Sequence, residues 1–446
     1  MTITNTIGKL TGLMAKTLAA AAPVVKPDGS RDSISRRKIM ISKTHDRLGH
    51  AFLALLLGGG LISANFAYAA PKSVVFVGNN WDGTVNVFDT TTYNKVGMIN
   101  VVPDKSQRMM EVVLNPVKLL AFQAVRNLIG EGYDQLVDDM YSTNDGKLLI
   151  ASRPSFADVV GINIATGKIV WRFKVDGYRS DHMALSPDGS KVAVSASTGN
   201  VVHVLDVNTG KQVGKFASGN SPHENVYSKD GSKIYHASIG YVFTPLDPNF
   251  LDATKGTRVF QVVDASSYQI LKKFNMADKL KAVGLGHLSP AVRPMAHTPD
   301  ERFFYFQLSF LHGFVEYDMI DDKVTRLANL PNFVPKLPLE QYVNDSAHHG
   351  IAMNGDGNKL CVAGTMDDYV ALVNRDTFTY TLLTGLGTKP YWVTANKAGD
   401  RCYVSWSGTD QMSVISFTTG KELTRVNVGN HPQRIREGFV PEFWMN

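Results

Sequence analysis

The residues best suited to catalysis or ligand binding in this sequence are histidines, carboxylates and arginines at equivalent positions of a repeated pattern. Each stands seven or eight residues before a tight turn that contains Gly, or Glu301 in one case. Eight residues before the turn stand Asp138, Asp181, His223, Arg293, His349 and Tyr391. Seven residues before it stand Asp139, His182, Glu224, Pro294, Gly350 and Trp392, and beside these positions lie His348, Gln433 and Arg434. Because equivalent positions of a repeat come together in space, we expect these side chains to meet.

Imidazole and carboxylate groups in one place can transfer protons, and arginines bind anions. In a catalytic interpretation His223 or His349 is the general base. Glu224, Asp138 or Asp181 then acts as the acid or the orienting group. Arg293 and Arg434 would hold an anionic substrate, which gives hydrolase, lyase or isomerase chemistry. In a binding interpretation the same residues hold a ligand without turnover.

A metal site is a narrower hypothesis from the same residues. The candidate ligands are His182, His223, His348 and His349 with Asp181 or Glu224. Their nitrogen and oxygen atoms suit Zn²⁺ or Cu²⁺. No short paired motif fixes their spacing, and Arg293 and Arg434 would favour an anion over a cation. The sequence leaves both possibilities open.

The element that must position these residues is shown best by residues 180–216. An apolar run leads to the turn Ser186-Pro187-Asp188-Gly189, and the strands KVAVSAS, VVHVLDV and QVGKF follow it. Four short strands in under 40 residues cannot bury their faces alone, so the unit needs neighbours. This pattern indicates one blade of a repeat protein.

The turn positions give the number of blades. They are Gly146, Gly189, Gly231, Glu301, Gly357 and Gly399, spaced 43, 42, 70, 56 and 42 residues apart. A period of 42 or 43 is typical of four-stranded blades. The first unit, from Pro71, lacks its first strand, whereas Asn430–Ile435 resembles a unit start with little after it. The sequence therefore predicts an all-β fold, a seven-bladed β-propeller closed by pairing the N- and C-terminal strands.

Three insertions interrupt the repeats. Residues 105–134 carry apolar side chains at helical spacing up to the stop at Gly130, so we predict one inserted helix that caps a face of the ring and could bind a protein partner. The loop insertions cover 238–257 and 275–290. The polar residues at the unit starts would line the central channel of the propeller. Because these residues differ from blade to blade, they favour a binding site for one particular polar molecule over a purely structural role, which would repeat one residue type.

Residues 1–70 are predicted to be a leader with an export signal. The apolar run AFLALLLGGGLISANF follows basic residues and ends near Ala67-Tyr68-Ala69, which is typical of cleavage by signal peptidase. We expect cleavage after Ala69 or Ala70, no stable membrane span afterwards, and a periplasmic or secreted propeller over 71–446. Whether translation starts at Met1 or Met40 stays open.

The charge distribution argues against a nucleic-acid partner. The formal net charge is +6, but residues 1–50 hold nine basic and three acidic residues, so the rest of the chain is near neutral. The two cysteines, Cys361 and Cys402, lie on second strands of different units. Strands of separate blades seldom bring Cα atoms within disulfide reach, so we predict two buried free thiols.

Several segments resemble the YVTN family of seven-bladed propellers: GNSPHENVYSKDGSKIYHAS, SAHHGIAMNGDGNKLCVAG, VVHVLDVNTGKQVGKF and MSVISFTTGKELTRVNVGNHPQR. The resemblance covers residues 72–446. It implies the fold strongly and the function weakly, since related propellers include lactonase-type enzymes, the heavy chain of methylamine dehydrogenase and surface-layer proteins.

Three functional hypotheses follow. The first is an exported propeller that binds a small polar or anionic molecule at the channel mouth, with a divalent metal as a candidate cofactor. The second is a propeller enzyme that uses His, Asp and Glu for acid–base chemistry, and the third is a surface scaffold for protein interaction. A serine nucleophile elbow, a phosphate-binding loop and a Cys-His haem motif do not occur, which disfavours covalent hydrolase, nucleotide and haem-ligating roles.

Overall fold

Short strands with alternating apolar residues, joined by tight turns, form every blade of this protein. The computed structural model describes residues 70–242, 247 and 249–445. It contains seven four-stranded antiparallel sheets arranged as a propeller. The predicted leader lies outside the described residues except for Ala70. Within the described parts, no helix is long and apolar enough to cross a membrane.

The first three blades are formed by residues 72–217 together with the C-terminal strand. The first sheet contains β1 (Lys72–Asn79), β2 (Thr84–Asp89), β3 (Lys95–Asn100) and the C-terminal β28 (Pro432–Val440). The second contains β4 (Met140–Ser142), β5 (Leu148–Arg153), β6 (Asp158–Asn163) and β7 (Ile169–Lys174). The third contains β8 (Ser180–Leu185), β9 (Lys191–Ala196), β10 (Val201–Asp206) and β11 (Gln212–Ala217).

Four further blades complete the ring. The fourth contains β12 (Pro222–Tyr227), β13 (Lys233–Ser238), β14 (Phe260–Asp264) and β15 (Ile270–Phe274). The fifth contains β16 (Val292–His297), β17 (Phe303–Leu308), β18 (Gly313–Asp318) and β19 (Lys323–Asn329). The sixth contains β20 (Ile351–Met353), β21 (Lys359–Gly364), β22 (Tyr369–Asn374) and β23 (Tyr380–Thr384). The seventh contains β24 (Pro390–Ala395), β25 (Arg401–Trp406), β26 (Gln411–Ser416) and β27 (Glu422–Asn427).

The ring is closed as the sequence predicted. β28 pairs antiparallel with β1, and Val77 stands opposite Ile435. Both side chains are fully buried. The pairing gives the incomplete first blade its innermost strand and leaves no open edge between the two ends of the propeller.

The hydrophobic core lies between neighbouring blades. Val87 of the first blade and Val160 of the second belong to one buried cluster, and similar clusters join the other blades. The turns between first and second strands keep the predicted geometry even where glycine is replaced. Glu301 adopts a left-handed φ of 58° in the position that Gly189 occupies with a φ of 73°. Its carboxylate accepts a hydrogen bond from the Tyr235 hydroxyl at 2.8 Å, a tertiary contact that holds the strained residue.

The first insertion contains two helices, so the prediction of one helix is wrong. They are α1 (Lys105–Val113) and α2 (Pro116–Leu128). The break falls at Asn115 and Pro116, because proline restricts the preceding residue to an extended backbone and starts a helix well. The Asn115 side chain accepts a hydrogen bond from the Lys118 N–H at 3.0 Å and caps α2.

The insertion after β15 also forms a helix, α3 (Met276–Ala282), which Asn275 caps in the same way. Short 3₁₀ turns cover Pro154–Phe156, Asn249–Thr254, Leu339–Gln341, Val343–Asp345 and Glu442–Met445.

Cys361 and Cys402 form a disulfide, which corrects the prediction of free thiols. They lie on β21 and β25, the second strands of the sixth and seventh blades, with their Cα atoms 6.5 Å apart. The prediction failed because it treated separate blades as distant. In a propeller the faces of adjacent blades pack against each other, so equivalent positions of neighbouring sheets can approach within disulfide reach.

Candidate functional site in the central channel

The innermost strands of the blades converge on the axis of the ring and bring the predicted polar residues together. β8 contacts β12, β16 contacts β20, and β28 lies between β4 and β24. The side chains at the starts of these strands are all buried, including those of His182, His223 and His349, which are 3%, 5% and 1% exposed. The site is therefore enclosed, and any ligand in it must be small.

Three histidines from three blades form the centre of the site. The ring centroids of His182 and His223 are 4.0 Å apart, and the His349 ring lies 6.0 Å from His182 and 5.5 Å from His223. One ring nitrogen from each residue lies within 4.8 Å of the other two. His182 starts the third blade, His223 the fourth, and His349 precedes the first strand of the sixth, so only the closed ring assembles the three.

Glu224 links this centre to an arginine and a tryptophan. Its Oε2 atom is 2.8 Å from His182 Nδ1 and accepts a hydrogen bond from Arg434 Nη2 at 3.0 Å. The Arg434 guanidinium carbon lies 3.2 Å from the centroid of the Trp392 ring. This stacking and ion pair fix the guanidinium group, whose Nη1 atom has no hydrogen-bond partner among the described residues.

Burial keeps the three imidazoles neutral. It lowers the pKa of His182 and His223 well below the usual value, and Arg434 acts in the same direction on both. The pKa of His349 falls to about 3, first through burial and then through the positive charges of Arg293 and Arg434. Neutral imidazole is the form that accepts protons or binds metal ions.

Asp138 and Asp181 lie on the other side of His182. Their Oδ2 and Oδ1 atoms are 3.8 Å and 3.6 Å from His182 Nε2, and neither oxygen has a hydrogen-bond partner in the described chain. Burial, reinforced by the charge of Asp181, raises the pKa of Asp138 to about 8. This raised pKa favours the protonated form of Asp138 at neutral pH, whereas Asp181 forms an ion pair with Arg179.

Arg293 is the second arginine of the site. Its Nε donates a hydrogen bond to Ser309 Oγ at 2.9 Å, and its Nη2 atom is buried without a partner among the residues described. Burial lowers its pKa against the opposing effect of Asp345, whose own pKa burial raises to about 6. Because burial of a charged group is unfavourable unless the charge is paired, a bound anion beside Arg293 would be favourable.

The remaining predicted residues frame the site. The Tyr391 ring lies 4.3 Å from that of His349, between centroids. Asp139 lies beside Asp138 in the chain but is engaged elsewhere, since both of its oxygens accept hydrogen bonds from Arg436 at 2.9 Å. Gln433 accepts a hydrogen bond from Asn80 Nδ2 at 3.1 Å.

His348 does not join the three-histidine centre, although the sequence grouped it there. Its Nε2 atom lies 3.3 Å from Asp367 Oδ2 and 3.1 Å from the Tyr369 hydroxyl. Asp367 also accepts from His312 Nδ1 at 2.7 Å, so these residues form a second, separate buried cluster. The side chains of His348 and His349 therefore point in different directions, and His348 packs against the sixth blade.

The sequence-based reasoning missed Arg179 and Arg436. Arg179 lies just before β8, and Arg436 follows Arg434 by two residues on β28. Side chains two residues apart on a strand share a face, and this signal could have identified Arg436 from Arg434. His203 and His236 lie inside their strands and are hydrogen-bonded within their own blades, His203 to Gln212 at 2.6 Å and His236 to Asn225 at 2.8 Å.

The segment after α2 covers the end of the channel where the site lies. Glu131 forms an ion pair with Lys389, which precedes β24, and lies 3.7 Å from His431, which precedes β28. Tyr133 stacks on Trp81 at 3.9 Å, and Trp81 stacks on His431 at 4.0 Å. These contacts place residues 129–133 across loops that lead into the innermost strands.

Two other surfaces lie away from the channel. A hollow of about 410 Å³ is bordered by Asp252, Arg258 and Phe274 on the outer side of the fourth blade. The first insertion exposes apolar side chains, including Met110 of α1 at 64% and Leu114, between the two helices, at 77%. A protein partner on these helices stays a prediction.

Comparison with known proteins supports the fold and nothing finer. The class of protein defined by this fold and site is a seven-bladed β-propeller with a buried polar centre in its channel. No protein-family model matches this chain, and no curated protein matches it in sequence. Among solved structures it is similar to a chain of Kuenenia stuttgartiensis hydrazine synthase, with a TM-score of 0.50, 14% identity, and coverage of 66% of this chain and 88% of that chain. At this identity the likeness shows a shared fold alone.

Proposed function

We propose that this protein binds a small anion, such as a carboxylate, in the closed central channel. The observation that carries the proposal is the pair of buried arginines whose Nη atoms, Nη2 of Arg293 and Nη1 of Arg434, have no partners within the described residues. Buried donors without partners are rare, and a guanidinium group pairs well with planar oxyanions. Both arginines lower the pKa of His223 and His349, which supports a common location near the three histidines.

The test compares Arg293→Gln with the unaltered full-length chain. Formate, oxalate and inorganic phosphate serve as probes, and binding is followed by calorimetry and by the shift in melting temperature. We expect at least one probe to bind the unaltered protein, and we expect Arg293→Gln to weaken that binding at least about tenfold, as for loss of a charged hydrogen bond. The melting temperature without ligand should change little or rise, because burial disfavours the charge of Arg293.

Arg375→Gln is the matched control. Arg375 pairs with Asp376 on the surface, and its replacement by Gln removes the same net charge as Arg293→Gln does. Equal effects of the two substitutions on anion binding, or no response to any probe, would contradict the proposal. A large loss of stability in Arg293→Gln alone would show that this arginine has a structural role instead.

Catalysis is a second candidate function that one observation favours. Asp138 Oδ2 lies 3.8 Å from His182 Nε2, and burial raises the pKa of Asp138 to about 8, which favours its protonated form at neutral pH. A proton donor and a proton acceptor in one enclosed site suit acid–base chemistry on a bound anion. Appearance of a product from the bound probe, followed by NMR, would distinguish turnover from binding.

The export and family assignments are part of the same proposal. We propose that the propeller acts outside the cytoplasm, and the disulfide between Cys361 and Cys402 supports this location because such bonds persist in oxidising compartments. The blade motifs support a place among propellers of the YVTN type.

A further inference from the structure

The three-histidine centre has the composition and geometry of a metal site. One nitrogen from each of His182, His223 and His349 lies within 4.8 Å of the others. Nitrogen ligands on a tetrahedral ion with bonds of about 2.0–2.1 Å stand roughly 3.3–3.4 Å apart. Small rotations of three side chains would therefore bring the nitrogens to bonding distance. Three neutral imidazoles suit Zn²⁺ and Cu²⁺ in particular.

Several buried lone pairs around this centre have no partner. Nδ1 of His223 and Nδ1 of His349 lack hydrogen bonds to any described residue, as do Asp138 Oδ2 and Asp181 Oδ1. Buried polar atoms nearly always have a partner, so the two unpartnered imidazole nitrogens indicate that a partner is missing between the three histidines. The two carboxylate oxygens lie beside His182 in a neighbouring group, where they add negative charge close to the centre.

The surroundings of the centre resemble the outer shell of metal sites. Glu224 holds His182 through its Nδ1 atom at 2.8 Å, and a carboxylate that orients an imidazole in this way is a common feature of bound histidines. The positive charge of Arg434 is balanced by the same carboxylate at 3.0 Å. Arg179 and Arg436 are likewise paired, with Asp181 and Asp139. The nearby arginines thus oppose a cation less than their number suggests.

We infer that His182, His223 and His349 bind one divalent transition-metal ion of the Zn²⁺ or Cu²⁺ type. With three protein ligands the ion keeps at least one coordination position open. The anion of the proposed function can occupy that position, and to this extent the inference deepens the proposed function. The metal site itself does not require the anion.

The second histidine cluster provides an internal comparison. His312 and His348 share Asp367, and His312 Nε2 also contacts the Tyr342 hydroxyl at 2.9 Å. The Nδ1 atom of His312 and the carboxylate are 2.7 Å apart, which is a hydrogen-bond distance and too short for two ligands of one tetrahedral ion. We therefore assign the metal to the channel centre and treat His348 as a structural residue.

The experiment uses the full-length chain after treatment with a chelator, in buffer without carboxylates or phosphate. Zn²⁺ and Cu²⁺ are titrated by calorimetry, and Co²⁺ serves as an optical probe of nitrogen coordination. We expect one ion per chain. Single substitutions of His182, His223 and His349 by Gln should each reduce the affinity for the metal ion at least about 100-fold. Loss of a group that only supports a ligand reduces metal affinity by up to about 100-fold, and loss of the ligand itself should reduce it at least as much. His348→Gln is the matched control and should bind as the unaltered protein does.

Binding that survives all three channel substitutions, or that is lost only in His348→Gln, would overturn the inference. If a channel variant does not fold, electron paramagnetic resonance of the unaltered Cu²⁺ form decides, because hyperfine structure from three imidazole nitrogens supports the site and its absence overturns it. Anion binding to the metal-free protein is measured separately. Failure of the metal site and failure of the anion site therefore give different results.

Discussion

Neighbouring carboxylates in this protein have opposite roles because their surroundings differ. Asp139 accepts two hydrogen bonds from Arg436 and one from the Met183 N–H at 3.1 Å, so its charge is satisfied. Asp138 is buried without a partner for Oδ2 among the described residues, and its pKa rises to about 8. One residue position in the segment before β4 therefore separates a carboxylate in an ion pair from a carboxyl group whose pKa favours the protonated form.

Replacement of Asp138 by Asn should change how stability depends on pH. The pKa of Asp138 is about 8 in the folded protein and near 3.8, the usual aspartate value, in the unfolded chain, so folding takes up a proton between these two pH values. This group therefore reduces stability as pH rises through that window, by up to about 1.4 kcal/mol per pH unit. We expect Asp138→Asn to gain stability relative to the unaltered chain between pH 5 and pH 8, measured by urea unfolding with chelator present.

Asp139→Asn is the control for this measurement. It breaks the pair with Arg436 and should lose stability at both pH values. If Asp138→Asn and the unaltered protein show the same pH dependence, Asp138 is ionised in the folded state and the assignment of its proton is wrong.

At the scale of elements, β28 has two tasks. It completes the first blade by pairing with β1, and it carries Arg434 and Arg436 into the channel. Ile435 and Val440 of the same strand are fully buried. Closure of the ring and assembly of the site therefore depend on one C-terminal segment.

Truncation after Gly429 should prevent both closure of the ring and assembly of the channel site. Loss of β28 exposes the edge of β1 and removes buried apolar side chains worth roughly 1.5–3 kcal/mol each, which is a large part of a typical folding free energy. We expect aggregation or loss of cooperative thermal unfolding, measured by light scattering and calorimetry. Truncation after Val440 keeps the strand and is the control. A stable monomer without β28 would show that closure does not hold the ring together.

At the scale of the whole molecule, the proposed location outside the cytoplasm rests on the disulfide and on the export signal predicted from the sequence. The bond joins the sixth and seventh blades, next to the blade that the termini close. A bond between blades restrains their separation, and it forms only where thiols can be oxidised.

The mass of the protein isolated from its own host tests the proposed export. We expect a chain that begins near residue 70 or 71 and contains no free thiol, since Cys361 and Cys402 are paired. Intact mass with and without reductant and alkylating agent measures both features. A chain that begins at Met1 or Met40 and carries two alkylated cysteines without reduction would contradict export.

The sequence by itself determined the repeat and therefore the fold. The period of 42 or 43 residues, the turns at Gly146 through Gly399 and the incomplete units at both ends are local features that a reader of the chain can count. Each unit must bury its faces against a neighbour, so their number fixes a closed ring of seven. Equivalent positions in the units also identified most residues of the channel.

Only the tertiary structure decided which of those residues meet. His348 and His349 are adjacent in the chain, but one joins Asp367 and the other joins His182 and His223. The pairing of Cys361 with Cys402 likewise depends on how two blades face each other. Side-chain direction near a strand start and the distance between blades are set by packing around the whole ring, and a repeat pattern contains no measure of either.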